Sequence, residues 1–280
     1  MADTNVRVNS KRTISMSQSI MYFVISLIIN SAGNVLTLVT SAHIFPSYLG
    51  AAYWSAAEVN LGNAFHWNLF WAFLIMGIAT MLLNALLVGK LEWGRMIGNL
   101  LFMVPFSFLI QIFGDFFNGK YSFFAGLPDA HGAGMITLYI LLNFLGVALI
   151  ATAISIYQRV NLVLHPADDL MQILRFKYFK GSAGKAMWAS YIPPTIMAIV
   201  AFLITRKFEN FGIGTLFAFL FQGGITGIAD KFVFKKLKHQ AIDVGEPVNA
   251  GGDVDLNGKS EVEAEIDVAA AKAKKEAEHK

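Results

Sequence analysis

The chain has 280 residues, 55% hydrophobic and 15% charged, with a mean hydropathy of +0.54. Soluble domains carry about 25% charged residues, so a soluble globular domain is excluded and an integral membrane protein is expected. There is no cysteine, which removes disulfides, thiolate metal sites and cysteine nucleophiles.

The formal charge of +3 is unevenly spread. From Ala241 onward ten acidic residues face five lysines, a net of −5, so the preceding residues carry +8. Those cations flank apolar runs and form no single basic stripe, which argues against nucleic-acid binding.

A bilayer core takes roughly 20 apolar helical residues to cross, because only a helix satisfies its own backbone where water is absent. Six runs reach that length: 19–41, 66–88, 95–113, 134–157, 184–205 and 212–232. A polar segment, 1–18, precedes the first. That run is long for a secretory signal and lacks a small-residue cleavage site, so it reads as a retained span. Pro105 lies in the third run and Pro193-Pro194 in the fifth, where kinks are expected.

Two shorter segments lie between spans. Leu49 to Gly62 follows the first, and Leu162 to Leu174 follows the fourth. Each predicts one short helix. Pro166, Asp168 and Asp169 suit a helix start, and Ser47 or Ser55 suits a cap on the first. Two readings stay open. The helices lie flat at the interface with Tyr53 and Trp54 at headgroup depth, the slightly favoured reading, or they re-enter the membrane and help build a central site.

Beyond Gln240 the apolar signal stops, and segment 241–280 is expected to be an acidic, disordered cytoplasmic tail. Lysine and arginine concentrate in alternate connections: Arg7, Lys11 and Arg12; Lys90 and Arg95; Arg159 to Lys185; and Lys231 to Lys238. The others hold none, then Lys120, then Arg206 with Lys207. This bias puts both termini in the cytoplasm of a multi-pass cell-membrane protein.

The chain also echoes itself. Leu27-Ile-Ile-Asn30-Ser-Ala-Gly33 returns as Ile140-Leu-Leu-Asn143-Phe-Leu-Gly146, 113 residues on. Trp71-Ala72, Lys90 and Glu92 return as Trp188-Ala189, Lys207 and Glu209, and Gly98-Asn99-Leu100 as Gly214-Thr215-Leu216. The halves are 19–120 and 134–240. Three spans per half make the second enter from the opposite side. The expected fold is therefore all-α, a polytopic membrane protein of six transmembrane helices in two inverted three-helix repeats.

The pattern Leu49-Gly50, Trp54, Ala57, Val59 after a first span with small residues resembles the YczE/YyaS/YitT-type bacterial integral membrane proteins. Their Leu-Gly-x-x-Pro-Trp-Asp-like motif follows the first span. Here Tyr53 replaces the proline and Ser55 the aspartate, while His165-Pro166-Ala167-Asp168 keeps the proline and the acid. The likeness covers most of residues 20–239. It implies a multi-span membrane protein often described as a permease, without a settled substrate, and it assigns no catalytic residue.

Buried polar groups in a span face protein or water. Asn30, Asn34, Thr37 and Ser41 form one stripe, and Asn143 lies on the fourth span. Asn30, Asn34, Gly33, Asn143 and Gly146 are the substrate-site candidates, with the glycines allowing close approach; the competing reading makes each Asn interhelical glue. Glu58, Asp168 and Asp169 are candidate coupling or gating acids, Glu58 also reading as a solvated loop acid. Gly181-Ser-Ala-Gly184-Lys185 lacks the glycine and hydroxyl of a phosphate loop. The histidines show no metal spacing, and no Gly-x-Ser-x-Gly is present. No cofactor, metal or catalytic role is expected. The expected function is a permease for a small solute, with the bilayer as its medium and either a homodimer or docking to an energising subunit as its assembly. The alternative is a non-transporting binding subunit or sensor.

Overall fold

The structure is a computed structural model that describes residues 12–44, 49–180, 183–238 and 240. Ser47, most of segment 1–18 and the tail 241–280 lie outside the described residues. Among the described residues the fold is entirely helical, with no strand. The helices are α1 Met16–Ala42, α2 Tyr53–Ala64, α3 Leu69–Val88, α4 Trp93–Phe117, α5 Gly132–Val160, α6 Pro166–Ile173, α7 Ala183–Ser190, α8 Ile192–Thr205 and α9 Ile213–Phe232. A π-helical turn, Leu174–Tyr178, extends α6. Six segments are long and apolar enough to cross a membrane, the fifth formed by α7 and α8 together as Lys185–Thr205. The protein is a multi-pass membrane protein.

Local chemistry sets the helix ends. Ser15 accepts from the Gln18 N–H at 3.2 Å and the Gln18 side chain accepts from the Ser15 N–H at 3.0 Å, a reciprocal cap on α1. Asn68 caps α3 through the Trp71 N–H, and Gly89 ends that helix at φ 81°, where glycine carries no Cβ penalty. The two proline sites behave differently. Pro105 sits inside an unbroken α4. Pro193-Pro194 opens α8 after a break at Tyr191, because adjacent prolines remove two donors that a continuous helix needs.

Burial sorts the spans. In their most apolar stretches α1 is 61% buried and α5 50%, against 22–39% for the other four. These two form the centre and pack along each other, α4 on α1 and α9 on α5. The seam is close at the repeated glycines. A Cβ on Gly33 would lie 2.7 Å from the Gly146 carbonyl oxygen, and one on Gly146 2.8 Å from that of Gly33. Outer faces carry apolar side chains such as Leu86, Phe108, Leu141 and Leu220, as lipid contact requires.

Helix α2 departs from the favoured expectation. Helix α2 is not laid on a surface: Ser55 to Gly62 are all buried, and it packs against α8 and α3. Tyr53 and Trp54 are instead engaged within the protein. The Tyr53 hydroxyl bonds that of Thr195 at 2.7 Å, and Trp54 turns inward. Small residues permit the enclosure: Ala56, Ala57 and Gly62 bring the α2 backbone against its neighbours.

Contacts between the halves come in reciprocal pairs. Helix α2 of the first half packs on α8 of the second, while α6 of the second packs on α3 of the first. The Asn99 amide donates to the Leu164 carbonyl at 3.0 Å, and the Thr215 hydroxyl to the Ala51 carbonyl at 2.7 Å. Each carbonyl lies two residues before a short helix, and the two helices start 113 residues apart. Lys90 pairs with Glu92 at 2.9 Å and Lys207 with Glu209 at 3.7 Å.

Candidate functional site

Between the halves lies a cavity of about 110 Å³. Helix α1 contributes Asn30 and Asn34; α2 and its cap contribute Ala52, Tyr53, Trp54, Ser55 and Glu58. Phe73 and Phe106 come from α3 and α4. The second half supplies Ile150, Ile154 and Tyr157 of α5, His165, Ala167 and Asp168 at the start of α6, Tyr191 at the helix break, and Ala218, Phe219 and Gln222 of α9. The first turns of both short helices thus meet one space. Ser55 and Asp168, at equivalent positions 113 residues apart, both line it.

Its polar groups are partly bound and partly free. Ser55 donates to the Asn34 side-chain oxygen, and the Asn34 amide donates to the Asn30 side-chain oxygen at 2.9 Å. The relay ends on the Asn30 NH₂. On the opposite wall Tyr157 donates to Asp168, and Gln158 adds a bond at 3.3 Å. His165 accepts from the Ala167 N–H through Nδ1 at 3.1 Å, which makes it the neutral tautomer protonated at Nε2. The rings of Phe102 and Phe106 stand edge-on to it at 5.3 and 5.4 Å.

Glu58 is the outlier. It is 2% exposed and makes no hydrogen bond or ion pair among the described residues. It is not the solvated loop acid that the sequence allowed. Burial pushes its carboxyl well above the usual carboxylate range. Burial likewise raises Asp168 to about 6, against the opposing bonds from Tyr157 and Gln158, and lowers His165 to about 4.

The eight candidates from the sequence divide. Asn30, Asn34, Glu58 and Asp168 come together on the cavity. Asn143 does not line it. Its amide donates to the Thr37 carbonyl at 3.1 Å, the Thr40 hydroxyl at 3.2 Å and the Gly50 carbonyl at 2.8 Å, tying α1 and the start of α2 to α5. Gly33 and Gly146 form the seam behind it. Asp169 faces away, paired with Arg95 at 3.5 Å beside Asn84. The sequence passed over His165, Tyr157 and Tyr191 as cavity residues. The usable signal was the repeat offset, which sets the His165–Asp168 turn opposite Ala52–Ser55.

A second polar cluster closes the far end of α5. Arg159, 2% exposed, spends all five N–H donors: on the Ser155 carbonyl and hydroxyl at 3.0 and 2.9 Å, and on the carbonyls of Val233, Phe234 and Leu237 at 2.9, 3.3 and 3.1 Å. Asp230 lies 3.4 Å away. Arg12 bonds the carbonyls of Val160 and Asn161 at 3.0 and 2.6 Å, and Gln240 bonds Thr13 and the Arg159 carbonyl. The sequence reading counted Arg159 only as an orienting charge.

The chain belongs to a family of unknown function, DUF6198, whose match spans residues 17–231. Neither the curated proteins nor the solved structures compared with it give a match.

Proposed function

We propose that this member of the DUF6198 family is a permease, in which a small solute binds in the cavity between two inverted three-helix repeats and is exposed to each side of the membrane in turn. The observation that carries this reading is the unpartnered Glu58, held in a cavity walled by both halves. A buried polar group without a partner costs about 1–3 kcal/mol or more, and a fold that keeps one at an internal space has it there for a ligand or a proton. The reciprocal bonds of Asn99 and Thr215, the mutual approach of Gly33 and Gly146, and the crossed packing of α2 and α6 support the inverted repeat. The likeness to the YczE/YyaS/YitT-type proteins points the same way, its motif falling on the two short-helix starts.

In this reading both termini are cytoplasmic, catalysis plays no part, and the energy comes from a gradient. The absence of cysteine makes access directly testable. A Gln222→Cys variant in oriented membrane vesicles is treated from one side or the other with a charged, membrane-impermeant thiol reagent. Alternating exposure gives labelling from both sides. Labelling from one side only, with the protein folded, fits a binding subunit or sensor and rejects the permease.

A further inference from the structure

Three features of the cavity bear on what it binds. Its charged side chains are acids alone. Glu58 and Asp168 line it, and among the described residues no lysine or arginine does. The neighbouring acid Asp169 has Arg95, but that pair faces away from the space. Aromatic rings form much of the wall, among them Tyr53, Trp54, Tyr157, Tyr191 and Phe219. Tyr53 meets Tyr191 at 5.1 Å, and Tyr191 meets Phe219 at 5.4 Å, so that wall is continuous. Finally, the acids are spread over two helices, and no group of three or more His, Cys, Asp or Glu able to hold a metal occurs among the described residues.

Resting on the reading of this cavity as a solute site, we infer that it takes a small solute bearing an ammonium or guanidinium group, with Glu58 as the counter-ion and the aromatic faces around the cation. Aromatic faces attract organic cations, and do so more strongly once water is excluded. A bare metal ion needs several oxygen ligands at short range instead. The helix dipoles do not reverse the sign. The first turn of α6 carries its own Asp168 and Asp169, and a helix N-terminus amounts to about half a positive charge.

Binding is then linked to protons. In the empty cavity burial favours the protonated form of Glu58. An arriving cation favours the carboxylate, and the proton leaves to water. The titratable groups that line the cavity with Glu58 are Tyr53 on its own helix, Tyr157 of α5, His165 and Asp168 at the start of α6 and Tyr191 at the helix break. The lining residues from α1, α3, α4 and α9 do not ionise. Asp168, raised to about 6, adds a second site of competition.

The test is calorimetric titration of the full chain in detergent with tetramethylammonium, against sodium and against tert-butanol, a neutral molecule of similar shape. Tetramethylammonium should bind with release of protons, more tightly at about pH 8 than at about pH 5. Glu58→Gln should weaken it about tenfold, and Trp54→Leu should weaken it several-fold while leaving the proton linkage in place, so a misfolded Glu58 variant does not end the test. Equal binding of tert-butanol, displacement by equimolar sodium, or unchanged affinity in both variants overturns the inference. Competition by a short-chain phosphatidylcholine stronger than by free choline assigns the cation to a lipid headgroup, and weaker competition assigns it to a free solute; either upholds the cation site. Cation binding with one-sided labelling of Gln222→Cys rejects the permease alone. Two-sided labelling without cation binding rejects this inference alone.

Discussion

Arg159 and Glu58 are equally hidden, each 2% exposed, and they could hardly be treated more differently. Arg159 has five hydrogen bonds and an acid at 3.4 Å. Glu58 has no partner among the described residues and an open space beside it. A fully partnered buried charge holds structure together. The arginine ties α5 to the segment after α9, and Arg12 and Gln240 fasten the segment before α1 to the same point. An unpartnered one is a cost that the fold carries for another purpose. The contrast separates a clasp from a site.

The comparison breaks most visibly at the clasp. Arg159→Met takes the donor from the carbonyls of Val233, Phe234 and Leu237, while Asp230 keeps the Ser155 hydroxyl, and a loss of about 3 kcal/mol or more is expected, read as a lowered thermal midpoint in mild detergent. A change under about 1 kcal/mol would mean that the clasp is ornamental. Next comes the pair at the start of α6. Asp168 is raised from 3.8 to about 6 in the fold, so its stabilising contribution is present below 3.8 and is lost as pH rises through about 6. His165 is lowered from 6.5 to about 4, so its contribution is present above 6.5 and is lost as pH falls through about 4. The slopes oppose, so these two contributions nearly cancel in the wild type, where the buried Glu58 adds a fall of its own. Relative to the wild type, Asp168→Asn should tilt the profile toward stability rising with pH and His165→Asn toward stability falling with pH, each on the order of 3 kcal/mol. Identical profiles in all three proteins would contradict the burial assigned to both groups.

Smaller again is the seam. Gly33→Ala drives a methyl toward the Gly146 carbonyl oxygen and should cost about 1–3 kcal/mol, while Gly134→Ala, with open space around it, should cost little. Smallest is the site itself. Glu58→Gln should cost no stability in acid solution and should gain on the wild type as pH rises above the ordinary carboxylate range, where folding must return a proton to the buried Glu58 carboxyl or bury its charge. A large loss would turn Glu58 into a second clasp and erase the distinction.

Most of the spans were legible because a bilayer demands long apolar runs, and such runs are local. The echo of Asn30-Ser-Ala-Gly33 in Asn143-Phe-Leu-Gly146 also pointed to the seam, since glycine repeats mark close backbones. What spacing does not encode is rotation about a helix axis. Asn143 therefore looked like a cavity residue yet turns toward α1. Helix α2 misled for a related reason. Its alanines, glycine, Glu58 and Asn60 resemble a surface helix in composition, and only the neighbouring walls reveal that small residues are there to be enclosed. The cavity draws on seven helices and a helix break, and no local pattern reports such a gathering.

The central claim is that two equivalent bundles cross the membrane in opposite senses around this cavity. Lys90 and Lys207, equivalent in the repeat and both well exposed, test it with the fewest assumptions. Single Lys90→Cys and Lys207→Cys variants, treated in sealed right-side-out vesicles with an impermeant thiol reagent, should behave oppositely: position 207 labels and position 90 stays protected until the membrane is opened. Labelling of both positions from the same side would contradict the account.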